Sequence, residues 1–544
     1  MYKNLLLEFW NQNKILLIST IVILFFTFPM ETLLIPNLYG KLFNPSGSKD
    51  KEKYLLKILI IIIGLWVVIR FFYFSLTFLI EKIKLNFVKW IRIKLFSKII
   101  ENYETDFKEI SVSTSSKILA ISDRLERVIN YVLQYLTPLF FCVLLILIYL
   151  LFLDWKIALV GFVLFFIYTI VFLKISYQIV VLAGLREEKT EDMTKKMNDS
   201  LDNLLNVYIN NQKDTEISKL TTIQDGYNNA NKNMARLINK MSFSTSIFSV
   251  AIFGIMMGMT FFQWKKKKFS FEKFITISLI LTYLLGNLIN ISSWSPEELE
   301  NFGIILYSKD FIDEIIKPKD KSYIPNANLE GDIIVKNISF SYEPDSFPIF
   351  DNFSFKIMKG LKSAIVGSSG SGKSTLMKLL LGLNRPSKGT IYINGIPVDK
   401  IDPKYLRNEI NYINQRTSLF QGTVVDNIKY GNNISNKEIE RLLKKYDLMT
   451  NFSGLKNGIY TDVGMQGKGL SGGMQKIVMN MRGILRKGTI IIFDEPLAGL
   501  DSATRKKMIK FIFDMTKGKT LIVITHDPEI LPYMNKVIKL KDQK

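Results

Sequence analysis

Residues 367–375 read Gly-Ser-Ser-Gly-Ser-Gly-Lys-Ser-Thr, directly after the apolar run Ala364–Val366 and directly before the helical pattern "LMKLLLGL". A strand, a glycine-rich turn and a helix in that order make a phosphate cradle. Glycines let backbone N–H groups curl around the anion, and the helix N-terminus adds partial positive charge. Gly367, Ser368, Ser369, Gly370, Ser371 and Gly372 are the candidate cradle. Lys373 would reach the β/γ-phosphates, the Ser374 hydroxyl would ligate Mg2+, and Thr375 closes the motif. A second apolar run, "GTIIIFDEP", ends in two carboxylates. Asp494 is placed to hold the Mg2+ shell, and Glu495 to polarise a water for attack on the γ-phosphate. Such an acidic strand end is common by itself; paired with the phosphate loop it indicates nucleotide hydrolysis. His526, in "ITHD", is the only histidine of 544 residues. A lone histidine is more often incidental than functional, so the rest of the chain has to decide its meaning.

These residues need a rigid carrier. From about residue 331, short β-rich runs alternate with helical patterns and glycine-rich turns, the pattern of an α/β domain. The first ~300 residues differ in kind. Six apolar runs, at about 14–38, 55–80, 131–153, 157–180, 243–264 and 273–294, are each near the roughly 20 residues that cross a bilayer as a helix. The first is too long, and too poor in a small-residue cleavage site, for a signal peptide. "NLLLEFWNQN" ahead of it suits a short amphipathic helix on the membrane surface. Gaps after spans one, three and five are short. Those after two and four, roughly 81–130 and 181–242, mix charged and apolar residues at helical spacing and predict helices that extend the spans into the cytosol. The basic set Lys82, Lys84, Lys89, Arg92, Lys94 and Lys98 follows the positive-inside tendency, whereas Lys265–Lys268 in an outer loop runs against it.

Composition narrows the partners. Lys and Arg exceed Asp and Glu by 71 to 49, for a net charge of +22, yet 48% of residues are hydrophobic. Basic loops beside membrane spans account for that pair of facts, and no nucleic-acid role is expected. Cys142 is the only cysteine, so no intramolecular disulfide forms, and with one histidine a His/Cys zinc site is excluded.

The stretch between the phosphate loop and the acidic strand carries a resemblance. Leu470-Ser471-Gly472-Gly473, opening the helix in "KGLSGGMQKIVMNMRGIL", is similar to the signature motif of ABC-transporter ATPases. Further stretches then resemble that family's motifs in order. Tyr342 in "SFSY" matches the aromatic that stacks on adenine. Gln415 in "YINQRTSLFQGT" matches the glutamine that senses Mg2+ and contacts the membrane domain. "TDVGMQG" over 461–467 resembles the exporters' cross-talk loop, and Asp501 in "LAGLD" the D-loop. His526 then matches the switch histidine that contacts the γ-phosphate, which turns the lone histidine from incidental to functional. Met474, Pro496 and Gly499 depart from the usual residues without removing a phosphate ligand. Less specifically, "ETDFKEISVSTSSKILAISDRLERV" resembles the first cytosolic loop of the exporters, with a coupling helix near Asp106–Phe107.

The resemblance implies a half-transporter: a membrane α-helical domain of six spans with cytosolic extensions over 1–310, a linker over 311–330, and an ABC-type α/β P-loop NTPase domain over 331–544. It implies ATP and Mg2+ as cofactors, a multi-pass membrane protein with a cytosolic ATPase domain, and a second half-transporter as partner, in a homodimer or a heterodimer. Ser471, Gly472 and Gly473 of one chain would complete the ATP site of the other. Function would be ATP-driven export or lipid flipping by alternating access; an ATP-gated channel or regulatory subunit is the alternative. The cargo is not readable. Glu31, Arg70, Asn287 and Asn290 are the polar residues inside spans; the expected arrangement is that Glu31 and Arg70 pair or snorkel and the asparagines bond between helices.

Overall fold

The protein is described by a computed structural model covering residues 2–43, 51–103, 113–316, 323–325, 327–343, 346–368, 370–415 and 418–540. It divides into two compact units, residues 1–99 with 110–317 and residues 318–544 with 100–109.

The first unit is helical. Its elements are α1 (Tyr2–Gln12), α2 (Lys14–Pro29), a π-helical turn (Met30–Leu34), α3 (Ile35–Leu42), α4 (Lys51–Tyr103), α5 (Ser113–Tyr131), a second π-helical turn (Val132–Leu136), α6 (Thr137–Leu153), α7 (Trp155–Asp202), α8 (Leu204–Ile209), α9 (Lys213–Lys265), α10 (Phe271–Tyr307) and α11 (Lys309–Ile316). Six stretches are long and apolar enough to cross a membrane: Lys14–Leu42, Lys51–Glu101, Thr114–Leu153, Trp155–Asp202, Lys213–Lys265 and Phe271–Tyr307. They contain the six expected runs. At 1.5 Å per residue the 48 residues of α7 reach about 70 Å, against about 30 Å of bilayer hydrocarbon, so most of its length stands in water.

Apolar packing holds both zones of this bundle, and beyond the membrane Phe87, Ile91, Leu95, Ile118 and Ile121 form a core of their own. In the membrane zone, Cys142, Ile146 and Leu150 of α6 pack with Ile157 of α7, Met256 of α9 and Ile277, Ile280 and Leu284 of α10. Beyond it, ion pairs tie neighbouring helices: Lys84–Glu126 at 2.9 Å, Arg124–Glu187 at 2.9 Å, Lys117–Glu191 at 2.7 Å and Lys196–Glu216 at 2.5 Å. One close approach is between α7 and α10. A Cβ on Gly303 would lie 2.4 Å from the Val180 carbonyl oxygen and 2.7 Å from Ala183 Cβ. Glycine there lets two backbones touch.

Two expectations about this unit need correction. Glu31 does not pair with Arg70; it accepts a short hydrogen bond from the Tyr73 hydroxyl. Arg70 is exposed and lies over the Trp66 ring, 5.7 Å from its centroid, a partner four residues back on its own helix. Asn287 donates to the Tyr283 carbonyl of its own helix at 2.9 Å, not to another helix. The start of the expected linker, 311–316, is helical in α11, with Ile312 and Ile315 buried. Residues 317–322 and the expected coupling helix at Asp106–Phe107 lie outside the described residues.

The second unit holds two sheets. β1 (Ile333–Phe340), β2 (Phe350–Ile357), β4 (Lys388–Ile393) and β5 (Ile396–Pro397) form an antiparallel sheet in the order β2-β1-β4-β5. β3 (Lys362–Val366), β6 (Ile410–Ile413), β7 (Ile490–Asp494), β8 (Thr520–Ile524) and β9 (Lys536–Lys539) form a parallel sheet in the order β6-β7-β8-β3-β9. Every residue of β7 and β8 is buried, as both-sided coverage requires. Alternation divides them. Ile490, Ile492, Ile522 and Ile524 face one core, shared with Leu376 and Leu380 of α12 (Lys373–Leu380). Ile491, Phe493, Leu521 and Val523 face the other, shared with Ile477 and Met481 of α16 (Gly472–Leu485) and Met508 of α17 (Ser502–Met515). Shorter helices α13 (Pro403–Glu409), α14 (Val424–Lys429) and α15 (Asn436–Lys445) complete the unit.

Gly303→Ala should lower the melting temperature of the purified chain. Gly286→Ala in the same helix, where a Cβ meets nothing within 4 Å, should leave it unchanged or slightly raised. Equal effects of the two substitutions would contradict the close α7–α10 approach.

Candidate active site

The register of three neighbouring strands sets the site. Ile524 of β8 lies opposite Ile365 of β3 on one side and Asp494 of β7 on the other. Three parallel strands therefore end level, and the segments that leave them emerge side by side. Asp494 and the start of the phosphate loop are two strand spacings apart, about 10 Å. Such a crevice beyond the carboxyl ends of parallel strands is where open α/β sheets bind ligands.

β3 delivers the loop. Gly372 has φ +85°, and a Cβ there would press on Ile349 at 2.7 Å and Phe350 at 2.8 Å, so glycine alone fits the last step before α12. Lys373 bends back, its ammonium donating to the carbonyls of Gly367 at 2.7 Å and Ser368 at 2.6 Å. The Ser371 hydroxyl is buried without a hydrogen-bond partner among the described residues. An orphan hydroxyl, a retracted ammonium and a helix N-terminus converge on one place, and they fit a phosphate. The Ser374 hydroxyl is exposed in the first turn of α12. Ser369 lies outside the described residues.

β7 delivers the acids. Asp494 is buried and accepts a hydrogen bond from the Tyr412 hydroxyl at 3.2 Å. Burial pushes its pKa up, against the pull of the Tyr412 bond and of the Lys476 and Lys373 charges. Glu495 has φ +51°, a left-handed conformation that costs a non-glycine residue about 1 kcal/mol. Contacts to the end of β8 hold it there. Its backbone N–H donates to the Ile524 carbonyl at 2.9 Å, and its carboxylate accepts from the His526 backbone N–H at 3.1 Å and the Thr525 hydroxyl at 3.4 Å. The His526 imidazole lies 4.0 Å from the same carboxylate. Burial raises the Glu495 pKa, and His526 opposes the rise.

The structure thus brings Gly367, Ser368, Gly370, Ser371, Gly372, Lys373, Ser374 and Thr375 to one end of the sheet with Asp494, Glu495 and His526. Tyr342 joins them through a 3.2 Å hydrogen bond between its hydroxyl and that of Thr375. Gln415, just past β6, has an exposed side chain. Two residues stand apart. Ser471 caps α16, accepting from the Met474 N–H at 3.3 Å, and Asp501 caps α17, accepting from the Thr504 N–H at 2.9 Å. Among the described residues no hydrogen bond links either to Lys373, Ser374 or Thr375. Gly472 and Gly473 begin α16, and the loop over 461–467 is tied to that helix by the Gln475 amide, which donates to the Gly467 carbonyl at 2.9 Å. Met474 packs against the core, and the Pro496 backbone carbonyl accepts from the Asn480 amide at 2.9 Å.

One residue was not singled out in the sequence. Lys476 is buried on α16, and its ammonium donates to the Gln415 carbonyl at 3.4 Å. Burial lowers its pKa, and Asp494 and Glu495 offset part of the fall. A lysine at a core position of an apolar helix was the available signal.

Comparison with known proteins agrees with this geometry. The family described as the ABC transporter transmembrane region matches residues 15–288, and the ABC transporter family matches residues 350–498. The chain belongs to the ABC transporter family. It is a multi-pass membrane protein with a cytosolic ATP-binding domain, an ATP-hydrolysing transporter in the half-transporter layout of the exporters. A putative export ATP-binding/permease protein of Rickettsia bellii is 26% identical over 532 residues, covering 96% of this chain and 90% of that protein. An ATP-dependent lipid A-core flippase of Vibrio vulnificus is 33% identical over 215 residues, 39% of this chain and 37% of the flippase. The fold matches a bacterial ABC exporter with ATP bound at a TM-score of 0.85 and 19% identity, over 97% of this chain and 94% of the other.

The raised Asp494 pKa has a stability consequence. The ordinary aspartate value is 3.8. The protonated form contributes stability in full below that value, and the contribution is lost as pH rises through the raised one. At neutral pH the buried anion therefore burdens the nucleotide-free fold. Asp494→Asn should raise the melting temperature at pH 7.5 by about 2–4 °C, equivalent to about 1 kcal/mol in a domain of this size. The gain should shrink as pH falls towards 4, and a gain independent of pH would contradict the assignment.

Proposed function

We propose that this chain hydrolyses ATP between two copies of its nucleotide-binding domain and uses the cycle to drive export by alternating access. The observation that carries the reading is the level ending of β3, β7 and β8, which sets a phosphate loop, two carboxylates and the single histidine around one crevice. In this reading Tyr342 stacks on adenine, and the loop over 367–375 holds the phosphates through its N–H groups and Lys373. Ser374, Gln415 and Asp494 would hold Mg2+, which would supply charge neutralisation at the phosphates. Few protein ligands suffice, because Mg2+ keeps waters and shares substrate phosphates. Glu495 accepts a proton from the attacking water. Its strained backbone and its bonds to Thr525 and His526 fix the carboxylate before the substrate arrives. His526 steadies Glu495 and reaches the γ-phosphate.

Ser471, Gly472, Gly473 and Asp501 belong to the second copy's site. Ser471 supports this, since it is exposed at a helix N-terminus with no bond to its own Lys373, Ser374 or Thr375. The tip of the long helices supports a protein partner too. On α8, Leu204, Leu205, Tyr208 and Ile209 are 58–83% exposed. Four large apolar side chains on six residues, far beyond the bilayer, form a patch that a second chain would cover. Lipid flipping is one form of this export, and a likeness that covers 39% of this chain does not single it out. A gated channel or regulatory chain is not favoured, because Glu495 and His526 are both in place.

Glu495→Gln in the full chain, reconstituted in lipid, should bind ATP within about threefold of the parent while turnover falls by about 100-fold or more. Near-parental turnover would overturn the role of Glu495. For the parent, a base must be ionised to act, and the Glu495 pKa is raised. The acid limb of the ATPase pH profile should therefore lie above the ordinary glutamate value of 4.5.

A further inference from the structure

Glu31 is the acidic residue that the ATPase account leaves unused. In the stretch Lys14–Leu42 it stands about 25 Å from the inner end and about 16 Å from the outer end at 1.5 Å per residue, so it lies deep in the membrane. Ionisable groups at that depth are costly and need a partner. Among the described residues no lysine or arginine pairs with it. Its partners are phenols: the Tyr73 hydroxyl of α4 donates to the carboxylate, and the Tyr283 phenol of α10 reaches both Glu31 and Tyr73. Asn287, one turn on, touches Tyr283, and Cys142 of α6 lies nearby. Glu31, Tyr73, Tyr283 and Asn287 are each half-buried. The backbone also marks the place. Pro29 interrupts the span, and the π-helical turn Met30–Leu34 carries Glu31, a local widening found often at functional sites.

The chemistry selects a ligand. A carboxylate offers about four lone-pair sites, and phenol donors take only part of them. The remaining sites accept from N–H donors, which a protonated amine supplies. A divalent metal ion would demand six or more oxygen ligands, and a single carboxylate falls short; among the described residues no group of three or more His, Cys, Asp or Glu is arranged to hold a metal ion. We propose that Glu31, Tyr73 and Tyr283 form an intramembrane binding site for the positively charged nitrogen of an amphipathic amine, the cargo class of this chain. The proposal rests on the exporter reading above. The amine supplies the positive charge that no described lysine or arginine brings to Glu31.

The test is binding of tritiated 4-phenylbutylamine and of its neutral twin 4-phenylbutanol to the full chain in lipid nanodiscs, with ATPase activity measured on the same preparation. The parent should bind the amine at least tenfold more tightly than the alcohol. Glu31→Gln should abolish that preference while alcohol binding stays as it was. Tyr73→Phe and Tyr283→Phe keep the carboxylate and should each weaken amine binding several-fold, which separates recognition from a folding defect. Equal binding of amine and alcohol by the parent, or an amine preference that survives Glu31→Gln, overturns the proposal. Failure with ATPase activity intact removes the amine site alone. A parent without any ATPase activity removes the exporter reading and this site with it.

Discussion

The account depends on one constraint: three adjacent parallel strands stop at the same level. Ile365, Ile524 and Asp494 lie in register across β3, β8 and β7. The register is enforced by burial on both faces. A slip of one residue in β7 would exchange Ile490 and Ile492 with Ile491 and Phe493 between two different cores. It would also move Asp494 off the phosphate-loop side. Core packing and the placement of the candidate site are therefore the same requirement in this sheet, and alternation along five residues satisfies both.

Around that frame, strain and buried charge concentrate at the strand ends. Glu495 holds a left-handed backbone, Asp494 is a buried acid, Lys476 a buried base, and Ser371 an unpartnered hydroxyl. Each is unfavourable alone. Together they form a partly compensated cluster that a charged ligand completes, so the nucleotide-free site stores cost that binding relieves. The membrane unit repeats the logic in another solvent. Glu31 is held by phenols, with no lysine or arginine paired to it among the described residues, where proline and a π-helical turn break the regular helix.

Much of this was legible because the chemistry demands fixed residue types at short spacing. The phosphate loop, the Asp494–Glu495 pair and His526 are local in sequence, and their strands are apolar enough to recognise. The six spans were legible from length and hydropathy, and their extensions from helical spacing. Partnerships across the bundle were not. Arg70 looked like the partner of Glu31 because they are opposite charges in adjacent spans. Trp66, four residues away on the same helix, is nearer by construction, and Tyr73 faces Glu31 instead. Lys476 was hidden because its neighbours define a buried helix face only after α16 is placed against the sheet. Asp501 caps its own helix, a local use that the residue type allowed and the family likeness did not distinguish.

The central claim is that one ATP is held by two copies of this chain. The most direct measurement is a cryo-electron microscopy structure of the Glu495→Gln chain in lipid nanodiscs with Mg-ATP. The account expects each nucleotide between the loop over 367–375 of one chain and Ser471 of the other, with Asp494 beside the metal. A nucleotide enclosed by a single chain, with Ser471 of both copies facing solvent, would contradict it.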